Sequence, residues 1–236
     1  MARYCNGSTT YLTLADDAAL SLTPPYTLAM WLKISQVANT GYPKILSWNA
    51  SLATPSLNMY MAGNATANPD RLIVRLEGAD GDYVKMDDIY NIGENADWQH
   101  ILITVSAEGV VNVYVDGDLK GTETNASLGT INYAGPLYIG QYATPVEASN
   151  FHGDMAELAK WDAVLTSGEL AQLVDGENPE AIQNANLAWC VHMLEGYSES
   201  IEGITVTNNG TTDSDHPDQM YAPGKRRRYA RHHQVV

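Results

Sequence analysis

The chain has little cysteine, no long apolar run, a single Phe and few basic groups. Cys5 and Cys190 are the two cysteines in 236 residues, and neither has a metal-motif spacing, so a multi-bridge scaffold is excluded and no zinc ribbon or finger can be read. No stretch is long and apolar enough to form a bilayer-spanning helix. The 13 Lys and Arg face 28 Asp and Glu, a formal net charge of −15. Five of those basic residues lie in the last 12 positions, which hold no acid. The body before them therefore carries −20 and repels nucleic acid and anionic membrane. The start, Met1 to Gly7, runs straight into strand-like sequence without an apolar leader segment.

What is abundant is Tyr, with 14 copies, and Gly, with 19. These suit short strands, tight turns and surfaces that pack while staying wet. Period-2 alternation dominates. In Tyr26–Ile34, Leu28, Met30, Leu32 and Ile34 share one face. Strands are also expected at Tyr11–Leu14, Ser56–Met61, Arg71–Glu77, Leu137–Gly140 and Phe151–Trp161. The clearest hairpin joins Trp98–Ser106 to Val110–Val115 through Ala107-Glu108-Gly109. Asp116-Gly117 then signals a type I′ turn into Asp118–Thr122. One short helix is expected near 167–174, because Thr166 and Glu169 form a capping box ahead of Leu170, Leu173 and Val174. A final strand pair is read at Leu187–Leu194 and Ile204–Thr207. The expected division is a sandwich over residues 1–207 and an extended polar and basic tail over 208–236.

Several of these segments, in order, resemble the laminin G-type branch of the concanavalin-like lectin and glucanase superfamily. They are the opening Tyr4–Leu14 strand, Tyr26–Lys33, which resembles the strand that contributes the family's core tryptophan, the hairpin from Trp98 to Gly117, and Phe151–Trp161 with its capped helix. Trp189–Gly196 resembles the family segment that returns the chain end to its start. The resemblance implies an all-β jelly-roll sandwich of two antiparallel sheets. It also implies adjacent termini, so Cys5 and Cys190 could sit close enough to bridge; two separate buried thiols are the other reading. Two positions depart from the family pattern: Asn6 and Ala156 stand where some relatives place carboxylates for structural calcium. Asp154 and the cluster Asp80, Asp82, Asp87 and Asp88 offer other oxygen ligands, so calcium is possible there or the loop is simply a solvated acidic one.

Members of the superfamily that cleave glycosidic bonds carry Glu-x-Asp-x-x-Glu on one strand, which is absent here. Asp154 and Glu157 have opposite strand parity, and Asp116 and Asp118 flank a turn, so neither pair meets the two-carboxyl requirement. No other cofactor motif is present. His100 reads as a packed histidine, and His232 and His233 as solvated charge. The expectation is a non-catalytic binding or structural protein of one of two kinds. The first is a bacteriophage virion component, a capsid decoration (cement) or fibre protein resembling short laminin G-like phage proteins. It would contact other virion proteins or copies of itself as a homo-oligomer through Lys225, Arg226, Arg227, Arg228, Tyr229 and Arg231. The alternative is an extracellular or surface lectin module, with Trp48 or Tyr142 stacking on a glycan. Neither reading involves nucleic acid or membrane.

Overall fold

The computed structural model describes residues 2–35, 41–49, 54–63, 70–92, 97–143, 150–193, 203–215 and 217. In chain order the strands are β1 (Ala2–Asn6), β2 (Tyr11–Leu14), β3 (Tyr26–Ile34), β4 (Lys44–Trp48), β5 (Ser56–Met61), β6 (Leu72–Glu77), β7 (Tyr83–Met86) and β8 (Gln99–Val105). Then follow β9 (Val110–Val115), β10 (Asp118–Thr124), β11 (Leu137–Ile139), β12 (His152–Trp161), helix α1 (Ser167–Val174), β13 (Leu187–Val191), β14 (Val206–Asn209) and β15 (Thr212–Ser214).

They form two antiparallel sheets, as expected. One runs β10-β9-β8-β3-β12-β1-β15, with β13 also paired to β12; the other runs β14-β2-β11-β4-β5-β6-β7. The inward face of β3, namely Leu28, Met30, Leu32 and Ile34, meets Leu12, Leu46, Trp48, Leu57, Met59 and Met61 from the facing sheet in one buried cluster. Each such side chain contributes about 1.5–3 kcal/mol of burial. This shared interior fixes the two sheets face to face.

The local signals act where they were read. Asp116 and Gly117 both have positive φ, +52° and +85°, which the two-residue turn between β9 and β10 requires. Thr166 accepts from the Glu169 amide while Glu169 accepts from the Thr166 amide, so the capping box is complete. Helix α1 lays Leu170 and Leu173 against the outward side of the eight-stranded sheet, over Ala29, Leu102, Ala159 and Trp161.

Three details differ from the sequence reading. Trp31 points outward, into a small cluster with Ala2, Ala156 and Trp98, instead of into the interior between the sheets. The final two strands do not pair with each other: β13 adds to β12, whereas β14 crosses to pair with β2. Strand pairing also continues past residue 207, because β15 joins β1 and Arg3 pairs with Asp213 at 2.5 Å.

Candidate functional site

The outward face of the seven-stranded sheet holds an open recess of about 430 Å³, lined by Tyr42, Lys44, Tyr60, Ala62, Ile73, Lys85, Asp87 and Asp88. Its geometry begins with a β-bulge. The register between β4 and β5 slips between Lys44 and Leu46, which sets Lys44 opposite Tyr60. The Lys44 ammonium then lies 3.6 Å from the Tyr60 ring centroid and 5.2 Å from that of Tyr142. Tyr42 meets Tyr60 edge-on at 5.9 Å and is itself 47% exposed. Among the described residues no carboxylate pairs with Lys44, so aromatic faces hold the cation. Burial, with the Arg75 guanidinium nearby, pulls its pKa down to about 8.

The rest of the rim is already paired. Lys85 bonds Asp87 at 2.7 Å, and Arg75 bonds Glu77 at 2.7 Å while sitting 5.1 Å from the Tyr83 ring. Tyrosines supply flat apolar surface with a polar tip, which suits a ligand that is part apolar and part hydroxylated. The lining carboxylates, Asp87 and Asp88, are sequence neighbours on one rim and do not flank the recess as a glycosidase pair would.

The residues singled out from sequence fall in several places. Tyr142 borders the Lys44 site. Trp48 is 1% exposed, and its indole donates to the Gly135 carbonyl at 2.8 Å, so it offers a sugar no open face. Asp80 and Asp82 lie in the turn before β7, and Asp87 and Asp88 lie after it. A four-residue strand separates the pairs by roughly 13 Å, so the four carboxylates do not gather round one ion. Asn6 spends its side-chain oxygen on the amides of Ser8, Thr9 and Thr10, and Ala156 packs on Trp31. Lys225, Arg226, Arg227, Arg228, Tyr229, Arg231, His232 and His233 lie outside the described residues.

The bridge between Cys5 and Cys190 does not form; both thiols are free and buried. Strands β1 and β13 do lie along the same partner, β12, with Cys5 opposite Gly153 and Cys190 opposite Ala159. Six positions of β12 span roughly 20 Å, far beyond disulfide reach. The side chains also belong to different layers, Cys5 to the interior and Cys190 to the cluster under α1. Burial pushes their pKa values up, to about 12 and about 11.

Glu157 corrects the expectation drawn from strand parity. A bulge between Ala156 and Ala159, with Glu157 at φ +48°, interrupts the alternation of β12. Parity therefore does not separate Asp154 from Glu157. Instead, Glu157 is 2% exposed and bonds the His192 Nδ1 at 2.6 Å, while His192 Nε2 meets Glu180 at 2.8 Å. Burial alone would lower the His192 pKa, but the Glu157 carboxylate outweighs it and raises it strongly. A carboxylate committed to a buried imidazolium is not a free glycosidase acid.

Residues 6–171 match the sequence profile of a laminin G family described as the concanavalin A-like lectin/glucanases superfamily. The chain belongs to that superfamily. Human neuronal pentraxin-1 is 28% identical over 179 residues, covering 73% of this chain and 38% of the relative. Mouse "Sushi, von Willebrand factor type A, EGF and pentraxin domain-containing protein 1" is 29% identical over 181 residues, covering 73% of this chain and 5% of the relative. The chain thus spans a minor part of these two relatives. Among solved structures, the native heptameric SAP-like pentraxin from Limulus polyphemus superposes with a TM-score of 0.58 at 18% identity, covering 89% of this chain and 92% of that one. A Bacteroides ovatus protein assigned to carbohydrate binding gives 0.60 at 17% identity, covering 87% and 59%. At these identities the structures share the fold. No helix in the described residues is long and apolar enough to cross a membrane.

The sequence missed Tyr42, Lys44, Tyr60, Ile73 and Lys85 as a group. The available signal was alternation: in β5 and β6, Tyr60 and Ile73 occupy the parity opposite to the core residues Met59 and Val74.

Proposed function

We propose that this superfamily member is a non-catalytic, extracellular carbohydrate-binding module whose ligand occupies the tyrosine-lined recess. The carrying observation is Lys44 held between Tyr60 and Tyr142 beside the exposed Tyr42. The tyrosine faces would pack on sugar rings, and Lys44 would favour a sugar bearing a carboxylate or sulfate. The Bacteroides ovatus neighbour lends support from the fold side. Self-association accompanies this reading, since a pentraxin neighbour is heptameric.

A glycan array spanning neutral and acidic sugars tests it. Retention of an acidic glycan, lost on Tyr142→Ala and weakened by salt, is the expected result. Absence of any sugar signal would refute the assignment. A second reading, a virion decoration or fibre protein, is favoured by charge: a −20 body and an arginine-rich end are complementary between copies. Deleting residues 225–236 should then weaken self-association or capsid binding, and unchanged assembly would dismiss that reading.

A further inference from the structure

We propose that Glu157, Cys190 and His192 form a binding site for one Zn²⁺ ion. The Glu157 carboxylate, the Cys190 sulfur and a His192 ring nitrogen all lie within 4.8 Å of one another, and all three residues are buried. Oxygen, thiolate sulfur and imidazole nitrogen are the donor types that zinc accepts together. The sequence shows no zinc spacing because one ligand comes from elsewhere. Cys190 and His192 are two apart and so share a face at the end of β13. Glu157 is brought to them by the bulge in β12.

Two further observations fit a metal. The Cys190 sulfur lies 3.8 Å from His192 Nδ1, close to the roughly 3.3–3.7 Å that separates two ligands of a tetrahedral zinc ion. Glu157, at 2.6 Å from Nδ1, needs to draw back by about 1 Å, which a side-chain rotation supplies. On the far side of the ring, Glu180 holds Nε2. A carboxylate on the distal nitrogen fixes the tautomer that leaves Nδ1 to a metal, as is usual for zinc-bound histidine. Loading would release one proton from the Cys190 thiol and one from Nδ1. A divalent cation would thus replace two protons, and the buried charge would not change. Glu180, on the far side of the His192 ring, is half exposed, which gives the ion an approach from solvent. The site shares no residue with the tyrosine recess and stands or falls independently of it.

The test uses the full chain, stripped with chelator and titrated with Zn²⁺ or Co²⁺ alone. Expected are one tightly bound ion per chain and a thiolate-to-cobalt charge-transfer band in the near ultraviolet. Cys190→Ser should abolish the band, whereas Cys5→Ser and the tail variant His232→Ala/His233→Ala should keep it. Glu180→Gln, at a partly exposed position, should stay folded and bind zinc roughly ten- to hundredfold more weakly. That variant carries the test if Cys190→Ser does not fold. A cobalt spectrum without thiolate character, a band surviving in Cys190→Ser, or zinc affinity unmoved by Glu180→Gln would each overturn the site.

Discussion

The outward face of the eight-stranded sheet around β12 and the outward face of the seven-stranded sheet around β5 differ in what covers them. Over β12, helix α1 and the turn at Pro179–Ile182 seal Trp161, Leu170, Leu173 and Cys190 into a second dry cluster. Trp161 there donates its indole N–H to the Ile182 carbonyl at 2.8 Å. Over β5 the covering is amphipathic, made of Tyr60, Tyr42 and the stem of Lys44, and a recess stays open. Both faces come from strands of the same alternating pattern. What separates them is whether the outward residues are aliphatic or indole groups that must be capped, or tyrosines that tolerate water. The closed face contributes stability, and the open one is where the proposed glycan would sit.

The largest effect expected is on the closed face. Trp161 is fully buried, and Trp161→Ala removes both its packing and its hydrogen bond. We expect a loss of about 3–5 kcal/mol in unfolding free energy, read from urea denaturation. Glycan retention by the fraction that remains folded should be unchanged. A loss below about 1 kcal/mol would mean that α1 is a loose flap and not a seal.

How much of this contrast could be read from the residues alone depends on range. The capping box at Thr166 and the turn at Asp116-Gly117 are set by neighbours in sequence, and the structure places both where they were expected. The inward set of β3 was equally legible, since strand alternation is local. Short strands without a long alternating run, β4 and β7, were not seen. Bulges were also invisible: the slip at Lys44 builds the recess, and the slip at Glu157 carries its carboxylate to His192. Layer was left open by the local signals: of the two cysteine readings the separate buried thiols hold, Cys5 in the interior and Cys190 under α1, and Trp31 stands on the outward face that the parity of β3 gives it. Parity within one strand is legible, whereas an extra residue in the ladder reverses it unseen.

A smaller effect separates two buried histidines, His100 and His192. His100 is buried beside Trp31, with ring centroids 4.7 Å apart, and its Nδ1 has no hydrogen-bond partner among the described residues. Burial lowers its pKa from 6.5 to about 3, the opposite of His192. The unfolded chain therefore takes up a proton near pH 6.5 that the folded chain refuses until about pH 3. This stability is present above pH 6.5 and is lost as pH falls toward 3. His100→Leu should flatten the fall of the urea midpoint between pH 6.5 and 5, above the range where most carboxylates titrate. A wild-type and variant pair with parallel slopes would show that the ring gains a proton without unfolding.

The smallest change in stability, with a clear change in function, is expected at Tyr42. Its ring is 47% exposed and touches Tyr60 only edge-on. Tyr42→Ala should cost no more than about 0.5 kcal/mol, the ordinary range for a surface substitution. The same change removes the most accessible aromatic surface of the recess, so the affinity for a captured glycan should fall by roughly tenfold, about 1.4 kcal/mol. Tyr42→Phe keeps the ring and should retain most of that affinity if stacking is the contact. If Tyr42→Phe is as weak as Tyr42→Ala, the hydroxyl is the contact and the ligand meets the rim edge-on. If neither variant moves the affinity, the ligand lies elsewhere and the openness of this face reflects only a wet surface.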